Sequence, residues 1–142
     1  MEMKFTAESL SENLGLLFQK YNPKLVYFFG SAYRGKIGPL SDIDLAVLWP
    51  EGVNAPMLKS LELQNEVNIL LYEHRFEVGC LNGQILSFCY SVIGSGKCIY
   101  GNEEDRVRYE TEILSQYLDF SYLGEEYNSI FDKKLMGGKD GQ

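Results

Sequence analysis

The sequence is short of histidine and cysteine, the residues that most often build hydrolase triads and transition-metal sites. It holds one histidine, His74, and three cysteines, at positions 80, 89 and 98, among 142 residues. An odd number of cysteines without metal-ligand spacing predicts reduced core thiols in a cytoplasmic protein. His74 follows a predicted helix, where it satisfies carbonyl groups, so a serine–histidine hydrolase triad is poorly supported.

Long apolar runs and an excess of basic residues are also missing. No stretch approaches the roughly 18 apolar residues of a membrane span. The opening Met-Glu-Met-Lys lacks the features of a signal peptide, so we expect no membrane association. With 13 Lys and Arg against 20 Asp and Glu, the formal net charge is −7. This balance disfavours direct nucleic-acid binding, which needs a basic stripe, and suits a basic protein partner.

Helix-like and strand-like segments alternate along the chain. Apolar periodicity and Gly/Pro punctuation predict helices over 6–21, 54–73, 84–94 and 103–120, strands over 24–29, 42–48, 75–82 and 97–100, and a loop over 32–41. Asn54 is the predicted cap of the second helix, with Pro56 in its first turn. The predicted fold class is α/β (α+β), a small mixed β-sheet flanked by helices. We expect one domain over 1–136 and a disordered tail over 137–142.

Two short motifs lie where the first two predicted strands meet. Gly30-Ser31 ends the aromatic first strand, and Asp42 and Asp44 open the second. Since side chains alternate along a strand, both carboxylates point to one face, where they repel unless protons or cations intervene. Mg²⁺ is the hard cation that carboxylates share with phosphates. Glycine lets a phosphate approach the backbone, and the serine hydroxyl can bind its oxygens. Together the motifs predict a site for a nucleoside triphosphate and metal ions, although each alone is common.

These motifs resemble the minimal nucleotidyltransferase domain of the polymerase-beta-like superfamily. More narrowly, they resemble the antitoxins encoded beside HEPN-domain ribonuclease toxins. The matching residues are Gly30-Ser31, Arg34-Gly35 and Ser41-Asp42-Ile43-Asp44-Leu45, whereas Ala32-Tyr33 depart from the family pattern. The resemblance implies a polymerase-beta-like fold and catalytic, metal-binding roles for Asp42 and Asp44. It also implies that nucleotide and phosphate are bound by Gly30, Ser31, Arg34 and Ser41. For Arg34, pairing with an acid or capping carbonyls is the alternative.

The family carries a third carboxylate on the following strand. Glu62, Glu66 and Glu73 fall on or at the end of a predicted helix, where carboxylates are usually solvated. Glu77 falls on the predicted strand and is followed four and five residues later by Leu and Asn, as the family's Asp is. We therefore assign Glu77 as the third catalytic and metal-binding carboxylate, with a solvated edge glutamate as the alternative.

The resemblance implies a protein adenylyltransferase that acts as an antitoxin. Its substrates would be ATP and a tyrosine hydroxyl of a cognate HEPN ribonuclease toxin. Two Mg²⁺ ions held by Asp42, Asp44 and Glu77 would assist in-line attack on the α-phosphorus with release of pyrophosphate. The sequence leaves open the nucleotide preference, the number of AMP units and the oligomeric state with the toxin.

Three other functions fit the same residues. A small-molecule nucleotidyltransferase of the aminoglycoside-modifying type would need acidic subsites for a cationic drug. A binding-only antitoxin would occlude its toxin without chemistry. A scaffold with an incidental Asp-x-Asp would show no magnesium-dependent nucleotide binding.

Overall fold

The computed structural model describes residues 5–35 and 42–119. In chain order its elements are α1 (Ala7–Tyr21), β1 (Leu25–Phe29), α2 (Gly30–Tyr33), β2 (Ile43–Leu48), α3 (Pro56–Leu70), β3 (Phe76–Cys80), α4 (Leu86–Ser95), β4 (Lys97–Tyr100) and α5 (103–119). The predicted fold class is confirmed. The predicted tail over 137–142 lies outside the described residues. Within those residues, no helix has the length and apolar character to cross a membrane.

The sheet has the strand order β3-β2-β1-β4. Strand β1 pairs antiparallel with β2 and β4, and β2 pairs parallel with β3. Alternate residues of each strand feed two apolar layers. The layer around Phe18 and Phe28 lies under α1 and α3. The layer around Tyr27 and Ile113 lies under α4 and α5.

Two local predictions are wrong. Ala55, in the left-handed region at φ 51°, precedes α3 in the place predicted for Asn54, and it makes no side-chain cap hydrogen bond. Proline disfavours the right-handed helical region for the residue before it, so Ala55 cannot join the helix that Pro56 starts. Of the loop predicted over 32–41, the first two residues instead belong to one helical turn, α2, in which the Arg34 N–H donates to the Gly30 carbonyl at 3.2 Å. Residues 36–41 lie outside the described residues.

The cysteines agree with their prediction as core thiols. All three are free, with Cys80 and Cys89 buried and Cys98 partly buried. Burial raises the pKa of the Cys98 thiol, which disfavours its reactive thiolate form.

Side chains of α3 cover the outer edge of β3. The Phe76 N–H donates to Asn68 Oδ1 at 2.7 Å, Asn68 Nδ2 donates to the Phe76 carbonyl at 3.0 Å, and the Val78 N–H donates to Gln64 Oε1 at 2.9 Å. These bonds satisfy backbone groups that an edge strand otherwise leaves unpaired. They also hold the two residues on either side of Glu77, so α3 fixes the backbone that carries Glu77.

We expect Asn68→Ala to destabilise the chain by about 2 kcal/mol, because it removes both partners of the Phe76 backbone. Asn13→Ala is the matched control. Its amide makes one local bond, to the Ser9 carbonyl within α1 at 2.8 Å. Urea unfolding of both variants measures the difference. Equal losses in the two variants would show that the edge bonds add nothing beyond a surface contact.

Candidate nucleotide and metal site

Three residues stand opposite one another across the sheet. Phe29 of β1 pairs with Asp44 of β2, and Asp44 pairs with Glu77 of β3. Residues paired in this way share a face, and neighbouring strands lie about 4.8 Å apart. The face is the one under α4 and α5, and the row lies where β1 ends. Asp44 is half-buried, whereas Glu77 is exposed. The register thus brings two of the predicted carboxylates side by side.

The third carboxylate, Asp42, lies just before β2 and beside the start of β3. Its Oδ1 is 3.8 Å from Nε of Arg75. The Ile43 N–H donates to the Arg75 carbonyl at 2.9 Å, which holds the two chain segments together. Sequence analysis did not select Arg75. The signal was present, because Arg75 stands two residues before Glu77 and strand alternation places both on one face.

Two neighbouring acids and partial burial act on the Asp44 carboxyl. Burial, followed by the negative charges of Glu77 and Asp42, raises the pKa of the Asp44 carboxyl above its ordinary value of 3.8. The two neighbouring negative charges disfavour the ionised form of Asp44, and a cation placed beside it would relieve that repulsion.

This raised pKa predicts a pH-dependent effect of Asp44→Asn on stability without metal. A carboxyl whose pKa is raised by folding contributes stability that is full below its unfolded pKa and is lost as the pH rises through its folded pKa. Asp44→Asn should therefore exceed the native chain in stability at pH 7, and its advantage should shrink as the pH falls towards 3.8. Urea unfolding in EDTA at several pH values checks this. A difference in unfolding free energy between the two chains that stays constant with pH would contradict this prediction.

Gly30 is in direct contact with this carboxylate. Its φ is +84°, and a Cβ built on it would overlap Asp44 Oδ2. Only glycine accommodates both the backbone angle and the close approach. The prediction was that glycine admits a phosphate here, and the structure shows that it admits the metal-ligand candidate itself.

The other predicted binding residues are placed less closely. Ser31 follows Gly30 within α2 and is half-buried, and Arg34 is exposed at the end of α2. Ser41 lies outside the described residues.

The remaining candidate acids are placed elsewhere. Glu66 of α3 accepts a hydrogen bond from Lys20 Nζ at 2.9 Å and another from the Tyr21 hydroxyl. Glu62 is exposed on the same helix, and Glu73 is exposed just after it. Because α3 covers the opposite face of the sheet, Glu62 and Glu66 project from the layer away from Asp44. Of the four candidates, Glu77 is the one that pairs with Asp44.

The donor set fits a divalent cation in kind. Asp42, Asp44 and Glu77 offer the hard carboxylate oxygens that Mg²⁺ prefers. Within the described ranges, no three His, Cys, Asp or Glu side chains are gathered closely enough to enclose a metal ion. Metal binding at this edge therefore requires the exposed Glu77 side chain and the Arg75-paired Asp42 to turn inwards.

An aromatic wall adjoins the row of acids. The Phe29 and Phe88 rings meet edge to face, with centroids 6.0 Å apart. Phe88 of α4 also lies over Gly79 of β3, at 4.0 Å from the place a Cβ would occupy. Both phenylalanines are only partly buried, so an apolar surface borders the carboxylates.

The family described as polymerase beta, nucleotidyltransferase matches residues 12–105. This span is more than half of the chain and includes every candidate site residue. The chain belongs to the polymerase beta nucleotidyltransferase family. The predicted enzyme class, nucleotidyltransferase, is confirmed by this membership. No curated protein matches the chain at a significant level.

Solved structures share the fold of this nucleotidyltransferase. One is a chain of a toxin–antitoxin crystal structure with AMP-PNP (TM-score 0.68, 24% identity, 88% of this chain and 98% of that chain). Another belongs to a complex of tri-AMPylated Shewanella oneidensis HEPN toxin with MNT antitoxin (0.64, 22%, 91% and 98%). A third belongs to the toxin–antitoxin MntA-HepT (0.60, 24%, 89% and 97%). The predicted resemblance to antitoxins of this group is thus confirmed as a likeness of fold.

Proposed function

We propose that this nucleotidyltransferase is an antitoxin that transfers AMP from ATP to a tyrosine hydroxyl of a cognate HEPN ribonuclease toxin. The observation that carries the proposal is the contact of Gly30 with Asp44, in a row that continues to Glu77. An acid packed against a glycine turn at a strand end, with a second acid beside it on the next strand, suits a metal-bound triphosphate. The shared fold supports the same hypothesis. Among the solved structures that have it, one toxin–antitoxin structure holds AMP-PNP and another contains an AMPylated toxin.

Each residue has a proposed part in the reaction. Asp42, Asp44 and Glu77 would hold two Mg²⁺ ions, which supply charge neutralisation and lower the pKa of the acceptor hydroxyl. Ser31, Arg34 and Ser41 would bind triphosphate oxygens, with the Arg34 fork suited to two oxygens at once. Phe29 and Phe88 offer the base an apolar surface.

The proposed transfer forms one bond to the α-phosphorus and breaks another. The tyrosine oxygen forms a bond to the α-phosphorus, and the bond from that phosphorus to the oxygen bridging it to the β-phosphate breaks. Pyrophosphate leaves with that bridging oxygen, and Glu77 or a water takes the hydroxyl proton. Such transfer rests on positioning and charge stabilisation, which a small domain can provide.

The acceptor is proposed to be a protein that meets this chain in a complex. The net charge of −7 suits a partner with a basic surface, as an enzyme that binds RNA has. We therefore expect a stable assembly with the toxin and no direct binding of nucleic acid by this chain.

Label transfer tests the reaction class. The chain is incubated with Mg²⁺, the toxin and ATP labelled at either the α- or the γ-phosphate. The proposal expects label on the toxin from the α-position alone, with labelled pyrophosphate from the γ-position. Label on the toxin from the γ-position would indicate a kinase instead. Transfer to an added aminoglycoside, with none to the toxin, would indicate the small-molecule transferase.

A binding-only antitoxin is favoured by one observation. Among the described residues the three acids are not gathered into a metal site, and Asp42 is paired with Arg75. Neutralisation assays at different ratios separate the two functions. A catalyst silences excess toxin at sub-stoichiometric dose, whereas an occluding partner needs one chain per toxin site and retains its effect in Asp44→Asn.

A further inference from the structure

We propose that Arg75 binds the triphosphate of the incoming nucleotide and is held on Asp42 while the site contains neither metal nor nucleotide. The inference rests on the proposed function, since it assigns a residue to the nucleotide site of that reaction. It starts from an observation independent of the motifs, namely a guanidinium paired with one of the acids assigned to the metal.

The backbone fixes Arg75 at this edge. Its carbonyl accepts the Ile43 N–H at 2.9 Å, directly beside Asp42. It lies just before β3 and two residues before Glu77, and its side chain contacts Asp42. A basic side chain here lies at the rim of an otherwise acidic edge.

Charge explains what an arginine can do at this place. A triphosphate carries several negative charges and would approach three carboxylates. Burial, with the charges of Glu77 and Asp42, already raises the pKa of the Asp44 carboxyl. Metal ions supply part of the compensating charge. A guanidinium adds further positive charge, and its planar fork can bind two phosphate oxygens at once.

The pair with Asp42 is weak enough to exchange. It joins Nε to Oδ1 at 3.8 Å, and the Arg75 side chain is 78% exposed. Exposed pairs of this kind contribute little to stability. When a metal takes Asp42, the guanidinium loses its partner and is free to bind a phosphate. Arg75 and the metal therefore compete for Asp42 before nucleotide binds and act together afterwards.

This exchange predicts two shifts of opposite sign for Arg75→Gln. Without nucleotide, Mn²⁺ should bind about two- to fivefold more tightly, because a competitor for Asp42 is gone. With Mn²⁺ present, α,β-methylene-ATP should bind about tenfold more weakly, because a charged bond to phosphate is lost. Arg75→Lys keeps the charge without the fork and should fall between. Arg108→Gln is the control, since Arg108 is an exposed arginine paired with Glu104 on α5.

Electron paramagnetic resonance of free Mn²⁺ and calorimetry with the analogue measure the two affinities. Opposite shifts in Arg75→Gln, with neither shift in Arg108→Gln, are the expected result. Loss of both affinities together, or an unchanged nucleotide affinity, would overturn the role of Arg75 while leaving the proposed function intact. A native chain that binds Mn²⁺ but no nucleotide would overturn the proposed function and this inference with it.

Discussion

Asp44→Asn is expected to lower AMP transfer about a thousandfold. Asp44 is the central acid, since it pairs with Glu77 across the sheet, touches Gly30 and lies two residues from Asp42. Asparagine keeps the shape of the side chain and removes the charge that a metal needs. The folded state should not suffer, because burial and two neighbouring acids already disfavour the ionised form of Asp44.

Transfer rates and melting temperatures of the same preparations check this expectation. Asp105→Asn serves as the control, because Asp105 is a half-buried aspartate of α5 outside the row. It should retain full activity. If Asp44→Asn instead melts well below the native chain and is partly unfolded at the assay temperature, its loss of activity would identify Asp44 as a structural residue.

Gly30→Ala should lower transfer about a hundredfold and destabilise the chain by more than its backbone angle alone explains. The left-handed region costs a residue with a Cβ about 1–2 kcal/mol. In addition, the new methyl would overlap Asp44 Oδ2 and push that carboxylate away from its place. Misplacement of about 1 Å at a catalytic group is enough for a loss of this size.

Gly52→Ala separates these two effects. Gly52 has φ +86°, against +84° for Gly30, and a Cβ there would meet nothing within 4 Å. The control should therefore show the backbone cost with normal transfer. Urea unfolding and transfer assays on both variants make the comparison. If Gly30→Ala and Gly52→Ala have equal stabilities and equal transfer rates, the contact of Gly30 with Asp44 does not contribute to activity.

Much of this architecture follows from local pattern. The strand over 97–100 is found as predicted, and the helix predicted over 103–120 is found up to 119, where the described residues end. The other predicted strands and helices differ by one to three residues at one or both ends. The pairing of Asp44 with Glu77 also agrees with the choice of Glu77 over Glu62 and Glu66. That choice combined the strand-against-helix layout, which hydrophobic periodicity indicates, with the spacing to Leu81 and Asn82 that the family resemblance implies.

The features that escaped prediction depend on contacts between distant segments. The Arg75 pair with Asp42 joins segments that only the parallel register of β2 and β3 brings together. Asn68 looks like an ordinary helix residue until β3 is placed beside α3. Cap preference pointed to Asn54, and the left-handed backbone of Ala55 does not follow from the next proline, which favours an extended conformation before it.

The central claim is that this chain transfers AMP to a toxin, and intact-mass spectrometry of the toxin tests it most directly. The cognate HEPN protein is incubated with ATP, Mg²⁺ and either the native chain or Asp44→Asn. The account predicts a gain of one or more AMP units with the native chain and none with Asp44→Asn. An unchanged toxin mass, in a stable complex that still blocks the toxin, would contradict the account and establish a binding-only antitoxin.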